Sequence, residues 1–186
     1  MTTLHRPAFH HVNLKTTRLQ EMIDWYGLVV GAEVTYQYEL GAWLTNDEAN
    51  HRIALLSFPN FRDDPGRDEH AGMHHVAFEY DAFEALDDSY LRLREHGIVP
   101  ELCLDHGVTF SYYYVDPDGN RVELQVDGFG DWATSKRWMA TSEDFRRDPL
   151  GALMDPARVA ADRAAGRTFA EIRETARRGG YAPEQA

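Results

Sequence analysis

Histidine is the residue type in this sequence best suited to chemistry, and it recurs in a pattern. The chain contains nine histidines. Four of them form two adjacent pairs, His10-His11 and His74-His75, and each pair opens a strand-like run of alternating apolar residues. Imidazole can bind a metal ion or move a proton near neutral pH. A pair that recurs after about 64 residues therefore predicts two copies of one structural unit with functional groups at matching positions.

A third functional group lies on a strand-like segment near the end of the repeat. Side chains alternate between the two faces of a strand. If the apolar face of each strand packs under a helix, then His11, His75 and Glu123 all point away from the helices. By the same alternation, His10 and His74 fall on the apolar faces, which indicates a supporting role.

The combination of two imidazoles and one carboxylate on three strands predicts a metal site. This is the facial ligand set of non-haem iron(II), which leaves coordination positions open for substrate and dioxygen. The ligands are His11, His75 and Glu123. Imidazole also suits Mn, Ni or Zn, so the residues alone do not fix the metal.

A tight turn places a phenol beside the predicted carboxylate ligand. Asp116–Asn120 has the sequence DPDGN, in which Pro sets φ while Gly and Asn tolerate positive φ. A hairpin centred on Asp118 pairs Tyr113 directly with Glu123 on one face. A phenol at that place can hydrogen-bond a substrate held by the metal.

Two further histidines are candidates for proton transfer. In the first repeat, His51 opens the strand that corresponds to the one carrying Glu123. It is therefore either a fourth metal ligand or an acid/base just outside the metal shell. His106, at the start of the long hairpin, is a candidate hydrogen-bonding group near the same site.

The elements around these residues repeat as well. Each half is predicted to read β-α-β-β-β, with amphipathic helices at Thr17–Val29 and Phe83–His96. The predicted fold is α+β: two paired βαβββ modules form a half-open barrel around a metal site, followed by a helical C-terminal extension. The predicted domains are residues 1–130, with module one at about 6–60 and module two at about 72–128, and the extension at 131–186.

The role of the extension is left open by the sequence. It is helix-like, charged and rich in Ala and Arg, and it could be a lid, a dimerisation arm or a helix packed on the domain. Asp155-Pro156 is a predicted N-cap and first helical residue. The stretch from Gly179 onward is predicted to fray.

Composition excludes several classes of function. The chain has 31 acidic and 19 Lys/Arg side chains, a formal net charge of −12, which disfavours binding to nucleic acid or anionic membranes. Cys103 is the only cysteine, so neither an internal disulfide nor a thiolate metal site is expected. The sequence shows neither an apolar signal core nor a membrane span. We therefore expect a soluble cytoplasmic protein.

The motifs resemble those of the vicinal-oxygen-chelate superfamily, which includes glyoxalase I, bleomycin-binding proteins and type I extradiol ring-cleaving dioxygenases. The resemblance covers roughly Phe9 to Asp127. It is closest to the single-domain extradiol enzymes, which share the opening seen in His74–Phe78 and the Tyr-x-x-Asp-Pro-x-Gly-Asn-Arg-x-Glu run from Tyr113 to Glu123.

That resemblance implies Fe(II), or less often Mn(II), held by His11, His75 and Glu123. It implies an acid/base role for His51, a supporting role for His106 and substrate binding by Tyr113. The implied reaction is extradiol (meta) cleavage of a catechol by O2, which gives a hydroxymuconic-semialdehyde-type product.

Three questions stay open at this level. The alternatives are a glyoxalase-like metal-dependent lyase or isomerase, an epoxide-opening thiol transferase and a drug-binding protein of the same fold. A homodimer is plausible on general grounds. The identity of the catechol is not readable, although aromatic side chains are candidates for the pocket wall: Trp43, Phe58, Phe61, Phe110 and Tyr112.

Overall fold

The fold is mixed α+β, as predicted, and its βαβββ repeat is present twice. The computed structural model describes residues 3–183, and within that range it has one four-stranded and one five-stranded sheet, neither of them closed. The chain forms two compact units. The first runs to Met73 and includes Asp116–Gly119, and the second comprises His74–Val115 and the chain from Asn120 onward.

The first unit contains the first copy of the repeat. Its elements are β1 (Val12–Lys15), α1 (Leu19–Val30), β2 (Glu33–Tyr38), β3 (Gly41–Thr45) and β4 (Ile53–Leu56). The sheet order is β1-β4-β3-β2, with β1 parallel to β4. Helix α1 buries Met22, Ile23, Tyr26 and Val29, a spacing that forms one face of a helix. It ends at Gly31, whose φ of 67° is a left-handed cap.

The second unit repeats this order. Its elements are β5 (His75–Tyr80), α2 (Phe83–Glu95), β6 (Leu102–Asp105), β7 (Thr109–Val115) and β8 (Arg121–Asp127). Strand β8 lies between β5, to which it is parallel, and β7, to which it is antiparallel. The apolar faces of these strands pack under α2, where Leu86, Leu93, Phe110, Tyr112 and Leu124 are almost fully buried.

That packing corrects one expectation. Phe110 and Tyr112 belong to the core, where their rings contact Phe83 and Tyr90 of α2. They therefore do not line a pocket on the opposite face of the sheet. Tyr113 shows the alternation directly, because it lies between two core side chains and faces the other way.

The C-terminal extension is built onto the second unit. Its elements are α3 (Trp132–Thr141), α4 (Glu143–Arg147), β9 (Ala152–Leu153), α5 (Pro156–Ala164) and α6 (Phe169–Arg177). Strand β9 pairs with β6 at the edge of the five-stranded sheet. The predicted cap is confirmed: the Asp155 side chain accepts a hydrogen bond from the Ala157 N–H, and Pro156 begins α5.

The predicted fraying after Gly179 is wrong for residues up to 183. Tyr181 is 2% exposed, its hydroxyl donates to Asp162 at 2.6 Å, and its carbonyl accepts from the Asp155 N–H at 2.7 Å. These contacts hold the end of the described chain against α5. Residues 184–186, to which the same prediction applied, lie outside the described residues.

Within residues 3–183, none of the helices combines the length and the apolar character that crossing a bilayer requires.

Candidate metal centre

In the second unit, Glu123 lies at the middle of a polar group on the open face of the sheet. The β7–β8 register pairs Tyr113 with Glu123, as the turn predicted. The Glu123 side chain is buried, and its Oε2 lies 3.0 Å from His75 Nε2. The Tyr113 hydroxyl donates to Glu123 Oε1 at 2.9 Å. One carboxylate thus contacts a predicted metal ligand through one oxygen and the predicted substrate-binding phenol through the other.

His106 extends this arrangement by one residue. Its Nε2 lies 2.8 Å from the Tyr113 hydroxyl, so a continuous chain of contacts runs from His106 through Tyr113 and Glu123 to His75. Burial and the neighbouring Glu123 carboxylate raise the pKa of Tyr113 well above its usual value. The phenol therefore stays protonated at neutral pH and remains a hydrogen-bond donor.

The C-terminal extension fixes the loop that carries His106. Arg173 of α6 is buried, donates to the Gly107 carbonyl at 2.6 Å and also bonds the Gly128 carbonyl. The Asp105 carboxylate, also buried, lies 3.5 Å from Arg173 and accepts from the Gly107 N–H at 2.7 Å. Both residues that flank His106 are therefore held by interactions with a helix some 65 residues further along the chain.

In the first unit, three imidazoles form a second group. His10, His11 and His51 each offer a ring nitrogen, and these nitrogens lie within 4.8 Å of one another. The His11 and His51 ring centroids are 4.4 Å apart. His51 Nδ1 is 2.8 Å from Asn50 Oδ1. Partial burial and the two neighbouring imidazoles lower the pKa of His51.

The two histidine pairs share one local geometry. His10 Nδ1 lies 3.0 Å from His11 Nδ1, and His74 Nδ1 lies 2.8 Å from His75 Nδ1. His10 and His74 are exposed, not packed into the apolar faces as the alternation predicted, because β1 begins only at Val12 and β5 at His75. Each pair is therefore joined through its Nδ1 atoms, and the Nε2 atom of His75 faces Glu123 Oε2.

The strand registers correct the expected symmetry of His51 and Glu123. In the second unit, Glu123 pairs with Ala77, two residues after His75. In the first unit, Asn13, two residues after His11, pairs with Ala54. The counterpart of Glu123 is therefore Ala54, and His51 precedes it by three residues. The symmetry argument for a fourth ligand is thereby removed, while an acid/base role for His51 stays a prediction.

Sequence reasoning missed a cavity on the open face of the second unit. Its volume is about 450 Å³, and its lining joins His106, Tyr113 and Glu123 to side chains of the extension. The extension contributes Trp132, Ser135, Met139, Phe145 and Pro149. The aromatic residues that directly follow β8 were the available signal, but their contact with the site depends on how α3 folds back.

The predicted site residues are thus divided between the two units. His75, Glu123, Tyr113 and His106 form one connected group in the second unit. His11 and His51 contact each other in the first unit. The joint binding of one metal by His11, His75 and Glu123 stays a prediction.

Comparisons with known proteins identify the family and the fold of this chain. Residues 8–124 match the family described as the glyoxalase/bleomycin resistance protein/dioxygenase superfamily. A crystal structure of a glyoxalase/bleomycin resistance protein/dioxygenase from Nocardioides shares the fold, with a TM-score of 0.54 and 20% identity, over 69% of this chain and 89% of that one.

Two curated relatives are considerably more similar in sequence. Biphenyl-2,3-diol 1,2-dioxygenase 2 of Rhodococcus globerulus is 40% identical, over 86% of this chain and 83% of its own length. Biphenyl-2,3-diol 1,2-dioxygenase 3 of the same organism is 38% identical, over 89% and 87%. The chain therefore belongs to the glyoxalase/bleomycin resistance protein/dioxygenase superfamily, and within it to the extradiol ring-cleaving dioxygenases.

Proposed function

We propose that this chain cleaves a catechol-type aromatic diol next to its hydroxyl-bearing carbons, using Fe(II) and O2. His11, His75 and Glu123 are the proposed metal ligands, and His51, His106 and Tyr113 the proposed catalytic residues. The observation that carries the proposal is the connected chain His106–Tyr113–Glu123–His75 in the second unit. The identity of about 40% to biphenyl-2,3-diol dioxygenases supports the same reaction.

The second unit fits a divalent cation. Glu123 is a buried carboxylate whose partners include a phenol and an imidazole, His75. A buried carboxylate is costly unless a charge or several hydrogen bonds compensate it. A cation bound by Glu123 Oε2 and His75 Nε2 would supply that compensation. His11 occupies in the first unit the place in the histidine pair that His75 occupies in the second, and we propose it as the third ligand.

Iron(II) held by His11, His75 and Glu123 would supply the electron transfer between the diol and O2. Mn(II) suits the same ligands. The protein supplies orientation and proton transfer. Tyr113 stays protonated, and its single hydroxyl hydrogen, which bonds Glu123 Oε1 in the free protein, turns to the nearer diol oxygen, while His106 fixes the direction of the phenol. His51 accepts a proton from a diol hydroxyl and returns it to the substrate as the ring opens.

The balance of the reaction follows from these roles. Both atoms of O2 enter the product, one bond of the aromatic ring breaks, and an open-chain hydroxymuconic-semialdehyde-type product leaves. A small-molecule diol and O2 are the only reactants required. A cytoplasmic location and a homodimer remain predictions from the sequence.

Anaerobic purification with Fe(II), followed by addition of biphenyl-2,3-diol or catechol in air, tests the proposal. We expect bound iron, oxygen uptake equal to the diol consumed, and a yellow product. His75→Ala removes iron and turnover, whereas His96→Ala, a matched change at the end of α2, retains both. Tight diol binding without oxygen uptake in the iron-loaded protein contradicts the proposal and favours a binding protein.

A further inference from the structure

The cavity on the open face of the second unit extends well beyond the diol-binding residues. Its lining joins Tyr113, Glu123 and His106 to side chains of α3 and α4 and to Pro149. Its volume of about 450 Å³ lies within the range of small-molecule sites. This volume is larger than one six-membered ring requires. If the diol ring lies against Tyr113 and Glu123, the remaining volume of the cavity accommodates a substituent on that ring.

Most of the side chains that the extension contributes to the cavity are apolar. Trp132, Ser135 and Met139 lie three and four residues apart, so they share one face of α3. The Trp132 side chain is 71% exposed and that of Met139 is 43% exposed. Phe145 of α4 adds a phenyl ring, which packs against Trp138 at 5.6 Å between centroids. These side chains offer an aromatic and a thioether surface to a flat apolar group.

Strands β5 and β8 contribute polar side chains to the cavity lining, and these side chains already have hydrogen-bond partners. Glu79 Oε1 accepts from Trp132 Nε1 at 2.9 Å, and Glu79 Oε2 accepts from Gln125 Nε2 at 3.3 Å. Asp127 Oδ1 accepts from the N–H groups of Phe129 and Gly130. The first of these bonds fixes the indole of Trp132 over the sheet. The carboxylates of Glu79 and Asp127 also disfavour a negatively charged substituent in the cavity.

We propose that the α3 face formed by Trp132 and Met139 binds an uncharged aryl substituent of the diol. This face, which belongs to the extension and not to the repeated modules, then sets the preference for a biaryl diol over an unsubstituted or carboxylated catechol. The inference rests on the proposed function, since it takes the diol ring to lie at Tyr113 and Glu123.

The experiment compares kcat/KM for biphenyl-2,3-diol and for catechol. Trp132→Ala lowers kcat/KM for biphenyl-2,3-diol by about 10-fold, the scale of a lost aromatic contact, and changes that for catechol by less than about 3-fold. Trp132→Phe retains a ring and keeps most of the preference. Met139→Arg raises kcat/KM for 3,4-dihydroxybenzoate relative to biphenyl-2,3-diol, because it adds a cation to the apolar face.

The matched control is Leu153→Ala. Leu153 is 50% exposed, belongs to the same extension and lines a different cavity, so the ratio of the two kcat/KM values stays at the wild-type value. A Trp132→Ala variant that changes both substrates equally, or neither, overturns the inference while the proposed function stands.

A binding measurement distinguishes failure of the dioxygenase proposal from failure of the proposed aryl site. Anaerobic calorimetric titration of the iron-loaded protein with each diol reports affinity without turnover. We expect Trp132→Ala to weaken the binding of biphenyl-2,3-diol and to leave catechol binding unchanged. If wild-type protein binds biphenyl-2,3-diol in this way but consumes no oxygen, the dioxygenase proposal fails and the aryl site stands. Equal affinity of the wild type and Trp132→Ala for biphenyl-2,3-diol overturns the aryl site.

Discussion

The two units repeat one βαβββ order, yet matching positions carry different chemistry. In the second unit, β7 and β8 pair Tyr113 with Glu123. In the first unit, the corresponding strands β3 and β4 pair Trp43 with Ala54. The phenol and carboxylate of one copy are thus an indole and a methyl group in the other. A duplicated scaffold therefore conserves backbone registers more strictly than it conserves the functional groups attached to them.

The histidines show a second difference. Both units open with the same pair, but His75 contacts a carboxylate whereas His11 contacts another imidazole, His51. The second unit therefore offers a carboxylate suited to a cation, while the first offers His51, whose lowered pKa suits proton transfer, beside the proposed ligand His11. The predictions below test whether Glu123 of the second unit is needed for metal binding and His51 of the first unit for proton transfer.

Removal of the carboxylate is expected to have the largest effect. Glu123→Ala deletes the proposed anionic ligand, and we expect metal affinity to fall by more than about 100-fold. Loss of a residue that only supports a metal ligand lowers affinity by at most about 100-fold, so loss of the ligand itself should cost more. Metal analysis after dialysis measures this. Glu101→Ala, which breaks an exposed ion pair with Arg121 in the same unit, is the control and retains metal. Full occupancy in Glu123→Ala would show that the first-unit imidazoles hold the metal alone.

Replacement of His51 tests the first unit. We expect His51→Ala to retain metal and to lower kcat by about 10²- to 10⁴-fold, the usual contribution of a general acid/base. His70→Ala, which breaks an exposed ion pair with Asp64, leaves kcat unchanged. If His51→Ala instead loses its metal, His51 is itself a metal ligand and its acid/base role fails.

Tyr113→Phe tests the hydrogen bond that distinguishes the second unit. The phenyl ring keeps its place but cannot donate to Glu123 or contact His106 Nε2, so kcat/KM is expected to fall about 10- to 100-fold, the value of a hydrogen bond to a charged group. Metal content stays at the wild-type level. Tyr38→Phe, on an exposed strand of the first unit, leaves kcat/KM unchanged. An unchanged rate in Tyr113→Phe would remove the phenol from the mechanism.

The smallest effect concerns stability at alkaline pH. Burial raises the pKa of Tyr112 and Tyr114, whereas their first-unit counterparts are Ala42 and Leu44, respectively, which do not titrate. The protonated form is favoured in the folded state, so its stabilisation is complete below pH 10 and is lost as pH rises above it, by about 1.4 kcal/mol per pH unit for each group.

Tyr112→Phe should remove the contribution of one tyrosine to the fall in the free energy of unfolding above pH 10. The Tyr112 hydroxyl is buried and has no hydrogen-bond partner within residues 3–183, so the variant is no less stable than the wild type at pH 8. Urea unfolding at pH 8, 10 and 11 measures the difference. Parallel pH profiles for the two proteins would contradict the assignment of alkaline sensitivity to β7.

Local patterns allowed much of this site to be predicted from the sequence. The DPDGN turn fixes the β7–β8 register, and strand alternation then fixes which side chains share a face with Glu123. The same alternation could have placed Phe110 and Tyr112 in the core, because they lie three residues and one residue before Tyr113, respectively. The assignment of His51 opposite Glu123 was wrong because it used residue type, whereas the register depends on where β4 begins.

The contribution of the extension could not be predicted. Arg173 reaches the residues on either side of His106, and Trp132 reaches Glu79, across separations of 66 and 53 residues. Such contacts depend on how α3 and α6 fold back on the second unit, and no periodicity in the sequence specifies this. The amphipathic pattern indicated only that the helices exist.

The paired histidines carry a consequence for the tautomer of each ligand. Two Nδ1 atoms 2.8 or 3.0 Å apart form a hydrogen bond only if one carries the hydrogen and the other a lone pair. An imidazole that binds metal through Nε2 must keep its hydrogen on Nδ1. His10 and His74 must then accept at Nδ1 and carry their own hydrogen on Nε2. In the proposed metal site, each preceding histidine would thus select the binding-competent form of its neighbour, a role usually filled by a carboxylate or a backbone carbonyl.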